Sequence, residues 1–404
     1  MRRKPLSIAF VIRDPLPPVR ADVLTLFGTE MPRYGIGTDL VGQGAAGSWS
    51  AGAMHPVGSL NHRLAGVLSP FWDAVGLVRA WRRAPLDCIQ VRDKIASGLV
   101  GRIAATALGL PFVYWMSFPI VEGFEVRRDE IGRRGRGMRW LAHAARAALS
   151  RFVIHRLVLP GARHIFVQSD AMADRLAASG FKRARMTAVP MGVDASLLRR
   201  ESVTPSTDPR LDGRRVIVYL GRIAQSRKSD FLLDVVDALR VCQPDILLVI
   251  AGDAPSDDEM AWMRSSITKR GLDHHVVLTG WLPQQEALGY AVRAEAGLSP
   301  IPRGALFDVS SPTKLVEYLA LGIPCIANDI PDQALVIAQS GAGLCVPMEA
   351  AAFRDAVLEL LGNPTMAAQF AARGPGWVSA HRTYTVLAAD VAAAYERILP
   401  DQRC

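Results

Sequence analysis

The sequence predicts an α/β protein of two Rossmann-like domains that face each other across a cleft. Its 404 residues are too many for one ordinary core and suit two domains of roughly 200 residues. Short apolar runs alternate with helical segments, which is typical of parallel sheets covered by helices, and the alternation runs twice. The predicted parts are an N-terminal domain over 1–196, a linker over 197–214, a C-terminal domain over 215–380 and a final helix over 381–404 that packs toward the N-terminal domain.

The N-terminal half carries strand-like runs and helical segments in alternation. Pro15, Pro17 and Pro18 follow the first strand, and proline continues neither a helix nor a strand ladder. Gly109 and Pro111 separate a helix from the strand after it. Strands are predicted over 7–12, 38–41, 88–91, 112–116, 164–168 and 186–189, and helices over 22–33, 64–82, 96–108, 138–159 and 171–179, the last capped by Ser169 or Asp170.

The C-terminal half repeats this scheme after a polar segment that contains Pro205 and Pro209. Strands are predicted over 216–220, 246–251, 276–279, 296–299, 324–327 and 344–346, and helices over 230–241, 260–270 and 312–321, with a helical tail after Gly374. Ligands of such sheets bind beyond the carboxyl ends of the strands, so the residues that follow these runs are the candidates for a site.

Composition excludes several other classes of protein. Half of the residues are apolar and 21% are charged, which excludes a disordered chain, a collagen and a coiled coil. The five cysteines form no Cys-x-x-Cys pair and no Cys/His cluster, so neither a disulfide framework nor a zinc site is predicted. The stretch 103–121 has no charge, but its Gly109-Leu110-Pro111 favours a helix end and a strand over a membrane span.

The basic charge belongs to one half of the protein. Residues 1–195 carry a net charge of +13, and residues 196–404 a net charge of −4. An arginine-rich insert lies near Trp140 and Leu141; its basic residues are Arg127, Arg128, Arg133, Arg134, Arg136, Arg139, Arg146, Arg151 and Arg156. Such a cluster suits an anionic membrane surface or a solvated loop. Without a helix-turn-helix or an RNA-binding signature, nucleic acid is not an expected partner.

Two cations follow the first strand of the C-terminal half. Gly221 lets the chain turn off the strand, Arg222 comes directly after it, and Lys228 follows six residues later. Two cations at a strand's carboxyl end suit a diphosphate, although a solvated basic turn explains them equally well when they are taken alone.

A second feature begins a helix after an irregular loop. Ser310 or Ser311 at the cap and Pro312 at the first helical position are start signals, and a helix start offers free N–H groups to an anion. Glu317 has largely apolar neighbours, which favours a buried, partnered carboxylate over a solvated one. It could accept the two hydroxyls of a ribose.

In these motifs the sequence resembles the retaining glycosyltransferases of family 4, which have the GT-B fold, and in style the bacterial enzymes of exopolysaccharide and surface-glycan assembly. The matching segments are Gly221-Arg222 with Lys228, Ser311-Pro312-x-Lys314-x-x-Glu317-Tyr318, Leu321-Gly322-Ile323-Pro324-Cys325-Ile326-Ala327, Val167-Gln168-Ser169, Pro190-Met191-Gly192-Val193-Asp194 and Tyr114-Trp115-Met116-Ser117. The resemblance is strong over about 165–350 and weaker elsewhere.

The resemblance implies a role for each matching residue. Arg222 and Lys228 would bind the donor diphosphate and offset the charge that develops on it, and Glu317 would hold the ribose. The helix start at Ser310, Ser311, Pro312 and Lys314 would bind the distal phosphate, and the loops at Gly252, Trp281 and Leu282 would read the base. The implied donor is a nucleotide-diphosphate sugar, UDP- or GDP-linked, with no metal and no other cofactor.

Three positions depart from the family's pattern. The usual first glutamate falls on Val309, with Asp308 beside it, and the usual first-domain histidine falls on Ser117. The usual Gly-Gly near the first strand is replaced by a loop that contains Asp14. Asp14 and Ser117 are therefore only weak candidates for the acceptor side.

The resemblance implies a metal-independent, retaining hexosyltransferase with a glycan or lipid-linked glycan acceptor. We expect a cytoplasmic enzyme that is peripheral on the inner face of a bacterial plasma membrane. Two alternatives stay open. A sugar-nucleotide epimerase with the same fold would convert the donor alone, and a non-catalytic subunit of a glycan-assembly complex would explain the losses at Val309 and Ser117.

Overall fold

The computed structural model describes residues 5–58, 65–194, 196 and 198–399, and the chain forms two units. The N-terminal unit comprises 1–190 and 384–404, and the C-terminal unit comprises 191–383. The predicted linker over 197–214 lies within the C-terminal unit and contains the short 3₁₀ turns Arg200–Ser202 and Pro209–Leu211. Leu64 and Cys404 lie outside the described residues.

The N-terminal unit is a seven-stranded parallel sheet in the order β3-β2-β1-β4-β5-β6-β7. Its strands are β1 (Leu6–Val11), β2 (Ile36–Gly42), β3 (Met54–Pro56), β4 (Cys88–Arg92), β5 (Phe112–Met116), β6 (His164–Val167) and β7 (Met186–Ala188). Its helices before residue 190 are α1 (Ala21–Leu24), α2 (Ala65–Arg83), α3 (Ile95–Leu108), α4 (Ile120–Arg134), α5 (Met138–Phe152) and α6 (Asp170–Ala178).

The C-terminal unit is a six-stranded parallel sheet in the order β10-β9-β8-β11-β12-β13. Its strands are β8 (Arg215–Leu220), β9 (Ile246–Ala251), β10 (Val276–Gly280), β11 (Ala296–Ser299), β12 (Cys325–Asn328) and β13 (Gly343–Val346). Its helices are α7 (Phe231–Leu239), α8 (Asp257–Lys269), α9 (Gln284–Ala291), α10 (Thr313–Ala320), α11 (Pro331–Ser340), α12 (Ala350–Gly362) and α13 (Pro364–His381), and α14 (Tyr384–Ile398) ends the described chain.

The C-terminal sheet separates its apolar side chains onto two faces. Along β8, Ile217 and Val218 belong to different core clusters, because successive side chains of a strand point to opposite faces. Helix α14 returns to the N-terminal unit, where Tyr395 packs against Phe166 and its hydroxyl donates a hydrogen bond to Gln90. The last helix is therefore part of the N-terminal core.

Most predicted elements are confirmed, and several bounds are corrected. The predicted helix over 22–33 is α1 followed by a π turn over Leu26–Glu30 and a 3₁₀ turn over Met31–Tyr34. The predicted helix over 138–159 ends at Phe152 and continues as a π turn over Val153–Val158. Ser169 caps α6 by accepting a hydrogen bond from the Met172 N–H at 3.1 Å.

The arginine-rich insert is helical. It forms α4 and α5, which pack against each other, so it is not the solvated loop that the sequence left open. The uncharged stretch 103–121 divides into the end of α3 and the strand β5. Within the described residues, no helix combines the length and the apolar character needed to cross a bilayer.

Candidate functional site

Three neighbouring strands of the C-terminal sheet have a glycine at or directly after their carboxyl end. We call these three strand ends the glycine edge. Gly221 follows β8, Gly252 follows β9 and Gly280 ends β10, and Gly252 forms a bridge with Gly280. A Cβ on Gly252 would lie 2.0 Å from the carbonyl oxygen of Gly221, and its φ of +159° is one that other residues rarely adopt. Only glycine fits there, because the ends of β8 and β9 pack backbone against backbone, and the three strand ends carry no side chains at these positions.

Two predicted cations follow the end of β8 along the chain. Arg222 directly follows Gly221, and Lys228 ends the 3₁₀ turn Gln225–Arg227. Both side chains are exposed, and neither forms an ion pair with any described residue. Lys228 has a φ of +50°, a strained backbone conformation for a residue with a side chain. These cations are free to neutralise an anion.

Lys314 brings a third cation to the same edge. It lies in the first turn of α10 and is buried, with its Nζ 4.0 Å from the centre of the Tyr219 ring. A Cβ on Gly221 would lie 3.4 Å from this Nζ, so the ammonium group lies directly beside the end of β8. The aromatic ring compensates part of the lost hydration of the cation.

Glu317 follows one turn later on α10. Its side chain is half-buried, and Gln284 Nε2 lies 3.5 Å from its Oε1. Burial raises the pKa of Glu317, while the Gln284 contact and the charge of Lys314 oppose that rise. The carboxylate therefore retains free lone pairs that can accept hydroxyl groups.

Tyr318 anchors α10 to the sheet. The fully buried hydroxyl accepts a hydrogen bond from the Leu220 N–H at 2.7 Å and lies 3.4 Å from the carbonyl oxygen of Val218. Because Leu220 is the last residue of β8, this bond fixes the strand end that carries Gly221. Tyr318 appeared in the sequence motif without a role, and only the fold shows this one.

The helix start differs from the prediction. Pro312 is the N-cap, with extended backbone, and the helix begins at Thr313 rather than at the proline. Ser311 is buried, and its Oγ accepts hydrogen bonds from the Met191 N–H at 2.9 Å and from Arg382 Nη1 at 3.3 Å. Ser310 donates to the Phe307 carbonyl at 2.6 Å. Neither serine caps the helix, because both hydroxyls bind other parts of the protein.

The position of the missing glutamate offers no free carboxylate. Val309 is buried, and the neighbouring Asp308 accepts hydrogen bonds from Arg303 Nε at 2.9 Å and from the Gly304 N–H at 3.1 Å. Arg303 also pairs with Asp329 at 2.9 Å. The Asp308 carboxylate therefore stabilises the loop that contains it.

The loop after β10 carries the two predicted base-reading residues. Trp281 is 72% exposed, and Leu282 beside it is half-buried. An accessible indole next to a glycine edge can stack on a planar ring, while its N–H remains available to donate. Gln284, which contacts Glu317, opens the helix α9 directly after this loop.

A buried polar network holds the loop that leads to α10. Asn328 Oδ1 accepts the Ile301 N–H at 2.7 Å, and its Nδ2 donates to the Ile301 carbonyl at 2.8 Å. Gln333 Nε2 donates to the Ser299 carbonyl at 3.1 Å and to the Asn328 carbonyl at 3.0 Å. Sequence reasoning missed this network, although Ser299 and Asn328 are polar residues at the ends of buried strands.

In the N-terminal unit, the Arg92 side chain connects the carboxyl ends of β4 and β5. Arg92, which is 2% exposed, pairs with Asp22 and donates to Ser117 Oγ at 3.1 Å. The Ser117 N–H donates to Asp93 Oδ1 at 2.9 Å, and its hydroxyl donates to Asp93 Oδ2. Asp14 lies at the open side, 3.6 Å from Arg92 and 21% exposed. The structure thus brings both acceptor-side candidates to one cluster.

The pKa values of the two buried carboxyls of this cluster, Asp22 and Asp93, shift in opposite directions. Burial alone would raise the pKa of Asp22, but the charges of Arg92 and Arg20 outweigh it and lower that pKa. Burial raises the pKa of Asp93 against the Arg92 charge and the Ser117 hydrogen bonds, and its φ of +50° is strained. Sequence reasoning missed all three residues of this charge pattern. The available signal was the charged pair Arg92-Asp93 directly after an apolar strand.

No group of three or more His, Cys, Asp or Glu within the described part of the chain is arranged to hold a metal ion.

Two family models match the chain, one in each unit. Residues 19–192 match the glycosyl transferase 4-like domain, and residues 214–363 match the glycosyl transferases group 1 model. The first includes Arg92 and Ser117, and the second includes the glycine edge, its three cations and Glu317.

Similar proteins of known activity and structure agree with this match. A phosphatidyl-myo-inositol mannosyltransferase of Mycobacterium leprae is 27% identical over 52% of this chain, which spans about half (53%) of that relative's length. A 2-deoxystreptamine glucosyltransferase of Streptomyces kanamyceticus is 24% identical over 86% of this chain and 88% of its own. The structure of Anabaena HepE in complex with UDP covers 97% of this chain and 100% of its own, at 14% identity and a TM-score of 0.68, and shows the shared fold.

Proposed function

From its place among the GT-B glycosyltransferases of group 1 type, we propose that the chain transfers a hexose from a nucleotide-diphosphate sugar, with retention of the anomeric configuration. The observation that carries this proposal is the glycine edge of the C-terminal sheet. Arg222 and Lys228 follow the end of β8 without a carboxylate partner among the described residues, and buried Lys314 adds a cation at Gly221. Unpaired cations beside bare backbone suit a diphosphate.

Each donor group has a chemically matched residue in this proposal. Arg222 and Lys228 bind the diphosphate, and Glu317 accepts the two ribose hydroxyls. The backbone N–H groups at the start of α10 bind the distal phosphate. The hydroxyls of Ser310 and Ser311 take no part, because they form hydrogen bonds within the protein. Gly252, Trp281 and Leu282 surround the base, which is uracil or guanine. UDP in complex with HepE supports a nucleoside diphosphate of this kind.

The chemical step follows from those positions. The bond between the anomeric carbon and the diphosphate oxygen breaks, and Arg222 and Lys228 stabilise the negative charge that develops on the phosphate. The acceptor hydroxyl attacks from the face that the diphosphate leaves, and its proton passes to the departing phosphate oxygen. Retention results, and the cations offset the leaving-group charge without a metal ion.

We place the acceptor on the N-terminal unit. Asp14 is the partly open carboxylate of its charge cluster and can accept a hydroxyl of an incoming saccharide, while Ser117 is held inside the cluster. A lipid-linked saccharide of a bacterial surface glycan or exopolysaccharide, used at the inner face of the plasma membrane, is the acceptor that we propose. The phosphatidyl-myo-inositol mannosyltransferase among the relatives supports this class.

A thermal-shift panel with UDP, GDP, ADP, TDP and CMP, without added metal, tests the donor proposal. A ligand at about 100 times its dissociation constant stabilises the native state by about 2.7 kcal/mol. One diphosphate should raise the melting temperature, and Lys228→Ala should abolish that rise while leaving the melting temperature of the free protein unchanged. Lys269→Ala, which removes an exposed lysine at the end of α8, is the matched control and should keep the rise. No rise with any nucleotide in the wild type would refute the donor site.

A non-catalytic subunit is the second candidate, because Asp308 and Ser117 are both bound within the protein and replace neither missing family residue. Release of the nucleoside diphosphate from donor and acceptor would exclude it. Conversion of the donor without an acceptor would instead indicate an epimerase.

A further inference from the structure

Helix α5 turns its most apolar side toward solvent. Met138, Leu141, Leu149 and Phe152 are 81, 53, 64 and 55% exposed. Their spacing places them on one side of a helix with 3.6 residues per turn. Exposed alanines fill the same side, namely Ala142, Ala145 and Ala148. We call this row from Met138 to Phe152 the α5 stripe.

The opposite side of α5, which faces the protein, is the less apolar one. Its buried residues are Ala147 and Ser150, and Trp140 and His143 beside them are half-buried. A helix that only supported the fold would bury its large apolar side chains and expose the small and polar ones. The orientation of α5 is therefore the reverse of a helix that serves the core alone.

Unpaired arginines lie on α5 and near it, and Arg139 and Arg146 flank the stripe at helical spacing. Arg133, Arg136, Arg139 and Arg146 form no ion pair within the described part of the chain, whereas other arginines of the insert do, such as Arg151 with Glu125 at 2.7 Å. Two of them lie over aromatic rings instead, Arg136 over Trp140 at 5.6 Å and Arg146 over Phe124 at 4.3 Å. An apolar row with a cationic border matches the acyl region and the phosphate groups of an anionic bilayer.

We propose that the α5 stripe docks the protein on an anionic lipid bilayer, with Leu141 and Leu149 among the inserted side chains. The proposal rests on the proposed function and deepens it, because a lipid-linked acceptor lies in that bilayer. A second copy of the chain fits the stripe less well, since pairing would bring the arginines of the two copies together.

The remaining exposed apolar side chains also favour the N-terminal unit as the one that contacts the bilayer. Among the described residues, the exposed large apolar side chains of the C-terminal unit are Val241, Trp281 and Leu335, whereas the N-terminal unit has 15.

Vesicle sedimentation of the full chain tests the proposal. Vesicles of phosphatidylcholine with about 30% phosphatidylglycerol should bind the wild type at low salt, and vesicles of phosphatidylcholine alone should bind it much less. Leu141→Ser/Leu149→Ser should lower the partition coefficient by at least about ten-fold. Arg139→Gln/Arg146→Gln should lower it by about ten-fold or more on the anionic vesicles only. The matched control Val241→Ser/Leu335→Ser removes exposed apolar groups from the C-terminal unit and should bind as the wild type does.

Several results would overturn the docking surface. The first is vesicle binding by Leu141→Ser/Leu149→Ser that is as strong as that of the wild type. The second is a wild-type dimer in light scattering that dissociates in this variant. Binding that is lost only in Phe71→Ser/Trp81→Ser would assign the contact to the exposed apolar row of α2 instead. Melting temperatures verify that each variant folds. The nucleotide-dependent thermal shift should persist in every variant, so its absence from the wild type would contradict the donor proposal and not the docking surface.

Discussion

Replacing Arg92 by methionine tests the charge cluster of the N-terminal unit. The substitution keeps most of the side-chain volume and removes the cation that holds Asp22 and Ser117. Arg92 is 2% exposed, and Asp22 and Asp93 are each 8% exposed, so the variant leaves buried carboxyls without their main partner. Breaking a buried pair in this way costs about 3–5 kcal/mol of unfolding free energy.

The sign of the pH dependence follows from the pKa of Asp22. In the wild type that pKa lies below its usual value, so the ionised carboxylate stabilises the fold above about pH 3.9, and this contribution is lost as the pH falls through the lowered pKa. In Arg92→Met the largest of the charges that lower the pKa of Asp22 is lost, so that pKa rises, with Arg20 as the remaining cation. The unfolding deficit is then largest at neutral pH and shrinks as the carboxyls take up protons at lower pH.

Urea unfolding at about pH 7.5 and about pH 5, followed by circular dichroism, measures both effects. Arg127→Met is the matched control, because Arg127 forms a surface pair with Glu130 at 3.0 Å and should contribute less than about 1 kcal/mol. A deficit for Arg92→Met below about 1 kcal/mol at neutral pH would refute the reasoning. So would a deficit that is no smaller at the acidic pH.

Three further predictions concern the C-terminal unit. Tyr318→Phe leaves the buried Leu220 N–H without its acceptor and should cost about 1–3 kcal/mol in urea unfolding, whereas the exposed control Tyr34→Phe should change little. Gly252→Ala should weaken nucleotide binding or folding, because its Cβ overlaps the Gly221 carbonyl; wild-type melting and titration curves would contradict this. Glu317→Gln should weaken donor binding by about 10–100-fold in calorimetric titration. Because the pKa of Glu317 is raised, wild-type donor affinity should fall on acidification at a higher pH than an ordinary glutamate would give, and Glu317→Gln should not show that fall.

The strands were predictable because they are short, apolar and bounded by glycine, proline or polar residues. The run over 216–220 ends at Gly221 in the sequence, and the structure ends β8 at Leu220. The helix α4 was not predictable in the same way. Its sequence is rich in arginine and acidic residues and contains Gly123 and Gly132, which are poor helix formers. Packing against α5 stabilises it as a helix.

The start of α10 shows where local signals fail. Ser311 and Pro312 are favourable start residues, but Ser311 binds Met191 and Arg382, which are 120 and 71 positions away along the chain. These long-range hydrogen bonds compete with the local cap, and the helix begins one residue after the proline. The residues near Ser311 in the sequence therefore cannot predict these long-range hydrogen bonds.

The sequence by itself determined the two parallel-sheet domains and the glycine and cations that follow β8, because those depend on local periodicity and on residue types at strand ends. Only the tertiary structure decided which of these groups are available to a ligand. Ser311, Ser117 and Asp308 bind partners within the protein, whereas Arg222 and Lys228 have no carboxylate partner among the described residues. The physical reason is that hydrogen bonds and ion pairs between distant parts of the chain fix which polar groups are already satisfied, and those contacts exist only after folding.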